Sequence, residues 1–177
     1  MTENRRTQIL DTAEAAMRKG GFDAVSFRDI AGAIGIKSAS VHYHFPTKAD
    51  LGQAVAERYT DRFLDGLGSA TEGTPAARID RLAEAYRAAY ASERATCLCT
   101  VLGSVIGSLP DATAAEVGVF YDRLLGWVEC ALEANGPLSP TAVVSILQGA
   151  MVLAIATGED TPLRDARTLL SGLMGRD

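Results

Sequence analysis

Histidine and cysteine are scarce in this chain: it holds two of the first and three of the second. Both histidines, His42 and His44, fall in the N-terminal third, and a spacing of two turns them to different sides of a helix. No neighbouring Cys or acidic cluster completes a metal site, so none is expected. There is no Gly-x-Ser-x-Gly, no His-Glu-x-x-His and no phosphate-cradling glycine loop. An enzyme would need one of these constellations or an equivalent, so no catalytic residue and no cofactor is expected. Cys97, Cys99 and Cys130 are odd in number and sparse, which argues against a disulfide-stapled secreted fold. No run of about 18 uninterrupted apolar residues marks a membrane span. The first six residues lead into a charged amphipathic pattern rather than the apolar core of a signal peptide. A cytoplasmic protein with no membrane partner is the expectation.

Strand signals are missing as well. Period-two alternation is not sustained, and no Asn-Gly or Asp-Gly hairpin occurs. What remains is 47% apolar, enough to build a core and to exclude disorder. The pattern is helical throughout, and about nine helices are expected. A first helix covers roughly residues 7–19, with Ile9, Leu10, Ala13, Ala16 and Met17 on one stripe and Gly20-Gly21 at its end. Ser26 is placed to cap a short second helix, with Asp29 completing a capping box. Gly35-Ile36 turns into a third helix over residues 38–44. Thr47 and Asp50 open a longer fourth over 48–67. Residues 66–75 read as a loop. Further helices are expected over 76–92, 97–108, 112–135, 140–157 and 162–174.

The charge is uneven. Residues 1–50 carry seven Lys/Arg against six Asp/Glu, and the rest of the chain carries ten against sixteen. A near-neutral head on an acidic body suits a protein whose phosphate contacts lie in one small module. The segment Phe27–Leu51, FRDIAGAIGIKSASVHYHFPTKADL, gives that module a form. At about 100° per residue, Val41 and Phe45 point inward onto Ile30 and Ile34. Ala39 and Tyr43 lie on the far side, flanked by Ser40 and His42, with Lys37 and His44 at the edges. Two short helices joined by a glycine turn, polar on the outer face of the second, make a helix-turn-helix.

Through Ser26–Ala31, Gly35-Ile36 and especially Val41–Leu51, the N-terminal third resembles the TetR family of bacterial regulators. The Tyr-x-Phe-x-x-Lys-x-x-Leu pattern that begins at Tyr43 carries most of the likeness. The resemblance implies an all-α fold. A helix-turn-helix head would occupy residues 1–50, with helix 4 (48–67) as connector. Residues 68–177 would form a helical ligand-binding and dimerisation domain. It implies phosphate contacts from Tyr43 and Lys48, with Arg28 and Ser26 as further backbone contacts. Ala39, Ser40 and His42 would meet base edges, Ala39 only through a thymine methyl. Lys37, Ser38, His44 and Thr47 complete the expected DNA-binding set. Another aromatic is frequent in the family where this chain has His42. The partners implied are a palindromic double-stranded operator, a second copy of the chain and an unidentified small-molecule effector.

Residues 140–157 read as apolar nearly all round, so every side of that helix needs cover. A partner's helix is the expected cover, with Leu169, Leu170, Leu173 and Met174 extending the surface. Tyr86, Tyr90, Cys97, Phe120, Tyr121, Trp127 and Met151 are the expected ligand-binding residues. Cys99 is considered beside them. An apolar lining with few polar tips favours a hydrophobic effector and release of a repressor. An alternative is redox or electrophile sensing by Cys97 or Cys99. Read as helical, these two point about 200° apart and cannot bridge each other. A helical protein-binding adaptor is the remaining rival.

Overall fold

A computed structural model describes residues 2–132 and 136–174, with the side chains of residues 2, 3 and 93 left aside. Among the described residues there are nine α-helices, two short 3-10 helices and no strand. The α-helices are α1 (Thr2–Gly20), α2 (Phe27–Ile34), α3 (Ser38–His44), α4 (Lys48–Leu67), α5 (Pro75–Glu93), α6 (Leu98–Gly103), α7 (Asp111–Ala131), α8 (Pro140–Thr157) and α9 (Thr161–Met174). The bounds of α3, α4 and α8 fall where side-chain pattern and caps predict them. Helix α1 begins earlier than expected, and α7 ends at Ala131; residues 133–135 of its expected span lie outside the described ones.

The segment 97–108 departs most from its expected single helix. Helix α6 stops at Gly103, and a 3-10 turn follows at Ile106–Ser108. The hydroxyls of Ser104 and Ser108 bond back to the carbonyls of Val101 (2.7 Å) and Val105 (2.9 Å). The amide of Val105 pairs with Leu102 O, three residues back. Serine hydroxyls competing for helix carbonyls, beside a glycine and β-branched neighbours, favour the tighter turn. Cys97 precedes α6, so it and Cys99 do not share a helix.

Contacts group the chain into two compact units. The first takes the residues up to Thr60 together with Leu98–Phe120; the second takes Asp61–Cys97 and the residues from Tyr121 onward. In the first, Ile9, Leu10 and Met17 of α1 form a core with Ile30, Val41, Phe45, Leu51 and Val55. Gly52 is needed there: a Cβ on it would lie 2.6 Å from the Phe22 ring and 2.7 Å from Thr113 Oγ1. Arg58 of α4 reaches back to α1, pairing with Asp11 at 2.6 Å and with the buried Glu14 at 3.4 Å.

In the second unit α9 packs on both α5 and α8. Thr74 and Ser139 cap α5 and α8 through the amides of Ala77 and Ala142, each followed by a proline at the first helical turn. The loop between α4 and α5 is held by donors. Arg78 gives hydrogen bonds to the carbonyls of Thr71, Gly73 and Ala131. Arg81 gives them to Leu67, Ser69 and Glu72. By length and composition α8 alone, among the described residues, could cross a membrane. One side of it is core, where Val143, Val144, Leu147, Ala150, Met151 and Ala154 are buried.

Candidate functional site

The outer face of α3 is built by caps on either side of it. Ser26 Oγ accepts from the Asp29 amide (3.1 Å) and donates to Asp29 Oδ2 (2.6 Å), fixing the start of α2. Gly35 ends α2 with φ 67°, a left-handed conformation that a Cβ would strain. Lys37 returns to extended backbone and α3 begins. After α3, Thr47 Oγ1 accepts from the Asp50 amide (3.1 Å), and Asp50 Oδ2 accepts from the Thr47 amide (2.9 Å). These caps, of which the Thr47–Asp50 pair is a reciprocal box, tie down both neighbours of a helix of only seven residues.

Rotation of α3 is set by its core side. Val41 and Phe45 are buried, as the four-residue spacing predicts. Tyr43 is 78% exposed, and Lys37, Ala39, Ser40 and His42 are exposed around it. Ser38 and His44 are half-buried. A hollow of about 440 Å³ opens beside this face, over Ile36 and lined by Lys37, Ala39, Ser40, Tyr43, His44 and, from α1, Arg5. Among the described residues, no acidic side chain lines it.

The remaining expected contacts carry intramolecular duties. His42 meets the Phe27 ring edge-on at 4.5 Å, and its Nδ1 lies 3.4 Å from the carbonyl of Pro46. The ring is therefore steered by two neighbours. Lys48 opens α4 with its ammonium 3.6 Å from Asp23 and 4.6 Å from the centre of the Phe22 ring. A third of it stays exposed. Arg28 is exposed, 3.9 Å from Asp29. Ser26 and Thr47 have hydroxyls engaged in their caps.

The expected ligand residues separate into groups. Tyr86, Tyr121 and Gln148 meet in the second unit: the Gln148 amide nitrogen lies 3.4 Å from the Tyr86 hydroxyl and 3.2 Å from that of Tyr121. Tyr86 is fully buried and Tyr90 nearly so. Met151 is buried and its sulfur accepts from the Cys97 amide at 3.1 Å. Trp127 donates its indole N–H to the carbonyl of Gly68, and Phe120 packs in the first unit against Tyr59. Cys97 and Cys99 are buried, Cys130 exposed. Gln148 was missed by sequence reasoning. Its signal was there: α8 is aliphatic and small-residue in character, and an amide side chain in its middle needs a reason.

On α8 and α9 the outward apolar face is large. Leu153 is 57% exposed, Leu169 50% and Val152 49%, with Ile155 beside them. A groove of about 710 Å³ runs along the two helices past Ile146, Gly149, Leu153 and Pro162.

Residues 9–55 match the family model described as bacterial regulatory proteins, tetR family. The chain is 32% identical over 123 residues to the HTH-type transcriptional repressor KstR2 of Rhodococcus jostii (strain RHA1). That match spans 68% of this chain and half the length of the repressor. A crystal structure of a TetR transcriptional regulator from Legionella pneumophila superposes with a TM-score of 0.86 at 33% identity, covering 94% of this chain and 95% of the other. A TetR-family regulator from Agrobacterium tumefaciens has the same fold, with a TM-score of 0.85 at 22% identity over 98% and 99% of the two chains.

Proposed function

This chain belongs to the TetR family of bacterial regulatory proteins, and we propose that it is a homodimeric repressor released from a palindromic operator by a small hydrophobic effector. As a member of that family it is a ligand-responsive DNA-binding transcriptional regulator rather than an enzyme. The observation that carries the finer reading is the division of α3 into a buried Val41–Phe45 side and an exposed side centred on Tyr43. A short helix with a free polar face is what a major groove accepts. In this reading Ala39 and Ser40 meet base edges, with His42 at the margin because Phe27 and Pro46 hold it. Tyr43, Lys48, Lys37 and Arg28 meet phosphates. Ser26, Ser38, His44 and Thr47 shape and cap the segment. The printed description of the Rhodococcus relative as a repressor supports repression here. Such a protein acts where the chromosome lies, in the bacterial cytoplasm.

A second copy of the chain is the cover proposed for α8 and α9. Two heads related by a two-fold axis then read half-sites about 34–36 Å apart, or a multiple of that. Functional division of the chain follows: residues 1–50 read DNA, α4 connects, and residues 68–177 sense and dimerise. The effector reading rests on Tyr86, Tyr121 and Gln148, a polar trio within the second unit's helices. Tyr90 and Met151, close in sequence to the trio, add largely apolar surface, and the set suits a mainly hydrophobic molecule bearing one hydrogen-bonding group. Trp127 and Cys97 are assigned there as secondary members, since each already has a hydrogen-bonding duty, and Phe120 stays with the first unit, where it packs on Tyr59. Redox sensing by Cys97 or Cys99 is the weaker alternative, because both thiols are buried and buried thiols react slowly.

The test is selection of duplexes from a randomised pool by the intact protein, followed by gel-shift titration against salt. A palindrome bound at least about a thousandfold more tightly than scrambled duplex is expected. Recovery of no palindromic duplex would sink the reading. Displacement of the recovered duplex by a panel of hydrophobic molecules, repeated with Gln148→Leu, then tests the effector assignment.

A further inference from the structure

The core stripe of α1 does not stop where the core stops. Ile9, Leu10 and Met17 are buried, and stepping back four residues from Ile9 and Leu10 gives Arg5 and Arg6 on the same face. Each arginine has a different neighbour. Arg6 lies over the Phe45 ring, 5.3 Å from its centre, and is half-buried. Arg5 is exposed and forms one wall of the hollow beside α3, opposite Lys37, Ser40 and Tyr43. Its described hydrogen-bond partner is neutral: Nη1 donates to Gln8 Oε1 at 3.0 Å, and a guanidinium has four further N–H donors. Arg5 and Lys37 thus flank a hollow lined by no carboxylate among the described residues, next to a helix face that presents hydroxyls.

We infer that Arg5 is a DNA-backbone contact, and that α1 forms part of the DNA interface together with α2, α3 and the start of α4. The inference rests on the DNA-reading assignment of α3. When that face enters a groove, the phosphodiester strand at its edge runs past the hollow. A guanidinium on the far wall meets phosphate oxygens there with a geometry suited to bidentate bonding. The contact is sequence-independent: Arg5 adds affinity and fixes register, while Ala39 and Ser40 discriminate between bases.

The experiment uses the intact protein and two fluorescent duplexes: one that the wild type recovers from a randomised pool, and its scrambled counterpart. Affinities are measured from low to high salt for wild type, Arg5→Ala, Arg5→Lys and Gln8→Ala. Arg5→Ala is expected to flatten the plot of log affinity against log salt by about 1 per head and to weaken both duplexes severalfold. Arg5→Lys should keep the slope, and so should Gln8→Ala, which removes the neutral partner but not the charge. Circular dichroism melting of Arg5→Ala should match the wild type, since the side chain is exposed. An unchanged slope for Arg5→Ala overturns the inference, whether or not affinity falls. Failure of the wild type to recover any duplex is a different result and overturns the α3 assignment together with everything resting on it.

Discussion

Helices α3 and α8 each leave one side uncovered, and the two sides are chemically opposite. The free face of α3 carries Ser40, His42 and Tyr43 with Lys37 at its edge; that of α8 carries Val152, Leu153 and Ile155. The exposed side of α3 is already stable in water, because its polar groups are hydrated there. It loses that hydration only for a partner that returns hydrogen bonds and charge, which a nucleic-acid groove does. The exposed side of α8 gains simply by leaving water, at roughly 25 cal/mol per Å² of apolar area. Exposure alone therefore says little; composition names the class of partner. An aliphatic strip calls for another aliphatic strip, and the symmetric choice is a second α8.

The comparison breaks most visibly at Leu153. Leu153→Arg places a charge in the strip of each protomer. Leu153 is 57% exposed, so about 0.9–1.7 kcal/mol of burial is lost twice over, which raises the dimer dissociation constant about twentyfold to three-hundredfold before the cost of desolvating two charges is added. Sedimentation should show monomers at micromolar concentration, and binding to a palindrome should collapse although the heads are untouched. A dimer that survives this change means α8 is covered by something other than its own copy. On α3 the two sides separate in a different way. Phe45→Ala is expected to cost about 3–5 kcal/mol of stability, visible as a large drop in the melting temperature. Tyr43→Ala should leave melting near wild type and weaken operator binding by about tenfold per head, the worth of one hydrogen bond to a charged group. If Tyr43→Ala melts early, the exposed side is structural after all.

Much of this was legible beforehand because it depends on local rules. Ser26 with Asp29 and Thr47 with Asp50 announce helix starts, and Pro140 marks another. Val41 and Phe45 fix the rotation of α3 by spacing alone. The apolar strip of α8 was legible for the same reason. What was hidden depends on chain neighbours far apart in sequence. Nothing local tells that Leu98–Phe120 joins the N-terminal helices in one compact unit, a grouping secured at Gly52, where α4 and Thr113 approach too closely for a Cβ. Nor does spacing show that Lys48 stands on the Phe22 ring beside Asp23. The break in α6 was missed because a serine that bends a helix reads the same as one that faces solvent.

Smaller effects sharpen the contrast between the ends of α3. Asp50→Ala removes the acceptor for the Thr47 amide and should cost about 0.5–2 kcal/mol, with DNA binding weakened only as far as α4 frays. Asp23→Asn acts in the other direction. Asp23 is almost fully exposed, and its described ionic partner is Lys48, so it competes with phosphate for that ammonium. Neutralising it should tighten binding severalfold at low salt and have no effect near 1 M salt, where the Debye length is about 3 Å. Weaker binding by Asp23→Asn would mean that the carboxylate instead holds Lys48 in the position DNA requires.

The smallest expected effect belongs to the second unit, where α5 and α9 are joined by charge. Arg167 of α9 donates to Asp80 Oδ2 at 2.7 Å and lies 3.7 Å from Glu84, which Arg87 also engages at 2.6 Å. The hydrogen bond from Arg87 holds the Glu84 carboxyl below its ordinary value; burial opposes this, and the charges of Arg87 and Arg167 add to it. A carboxyl depressed in the folded state binds fewer protons there than in the unfolded chain, where its value is about 4.3. Its stabilisation is therefore complete above that value and is lost as pH falls through the lower, folded one. Glu84 is about two-fifths exposed, so water screens the pair and the whole contribution is at most a few tenths of a kcal/mol. Melting of wild type and Glu84→Gln should differ slightly and constantly from pH 7 down to about 5, then converge toward pH 3. A difference that grows as the solution becomes acidic would show that Glu84 is stabilised in its protonated form, and that the α5–α9 contact depends on Asp80 and Arg167 alone.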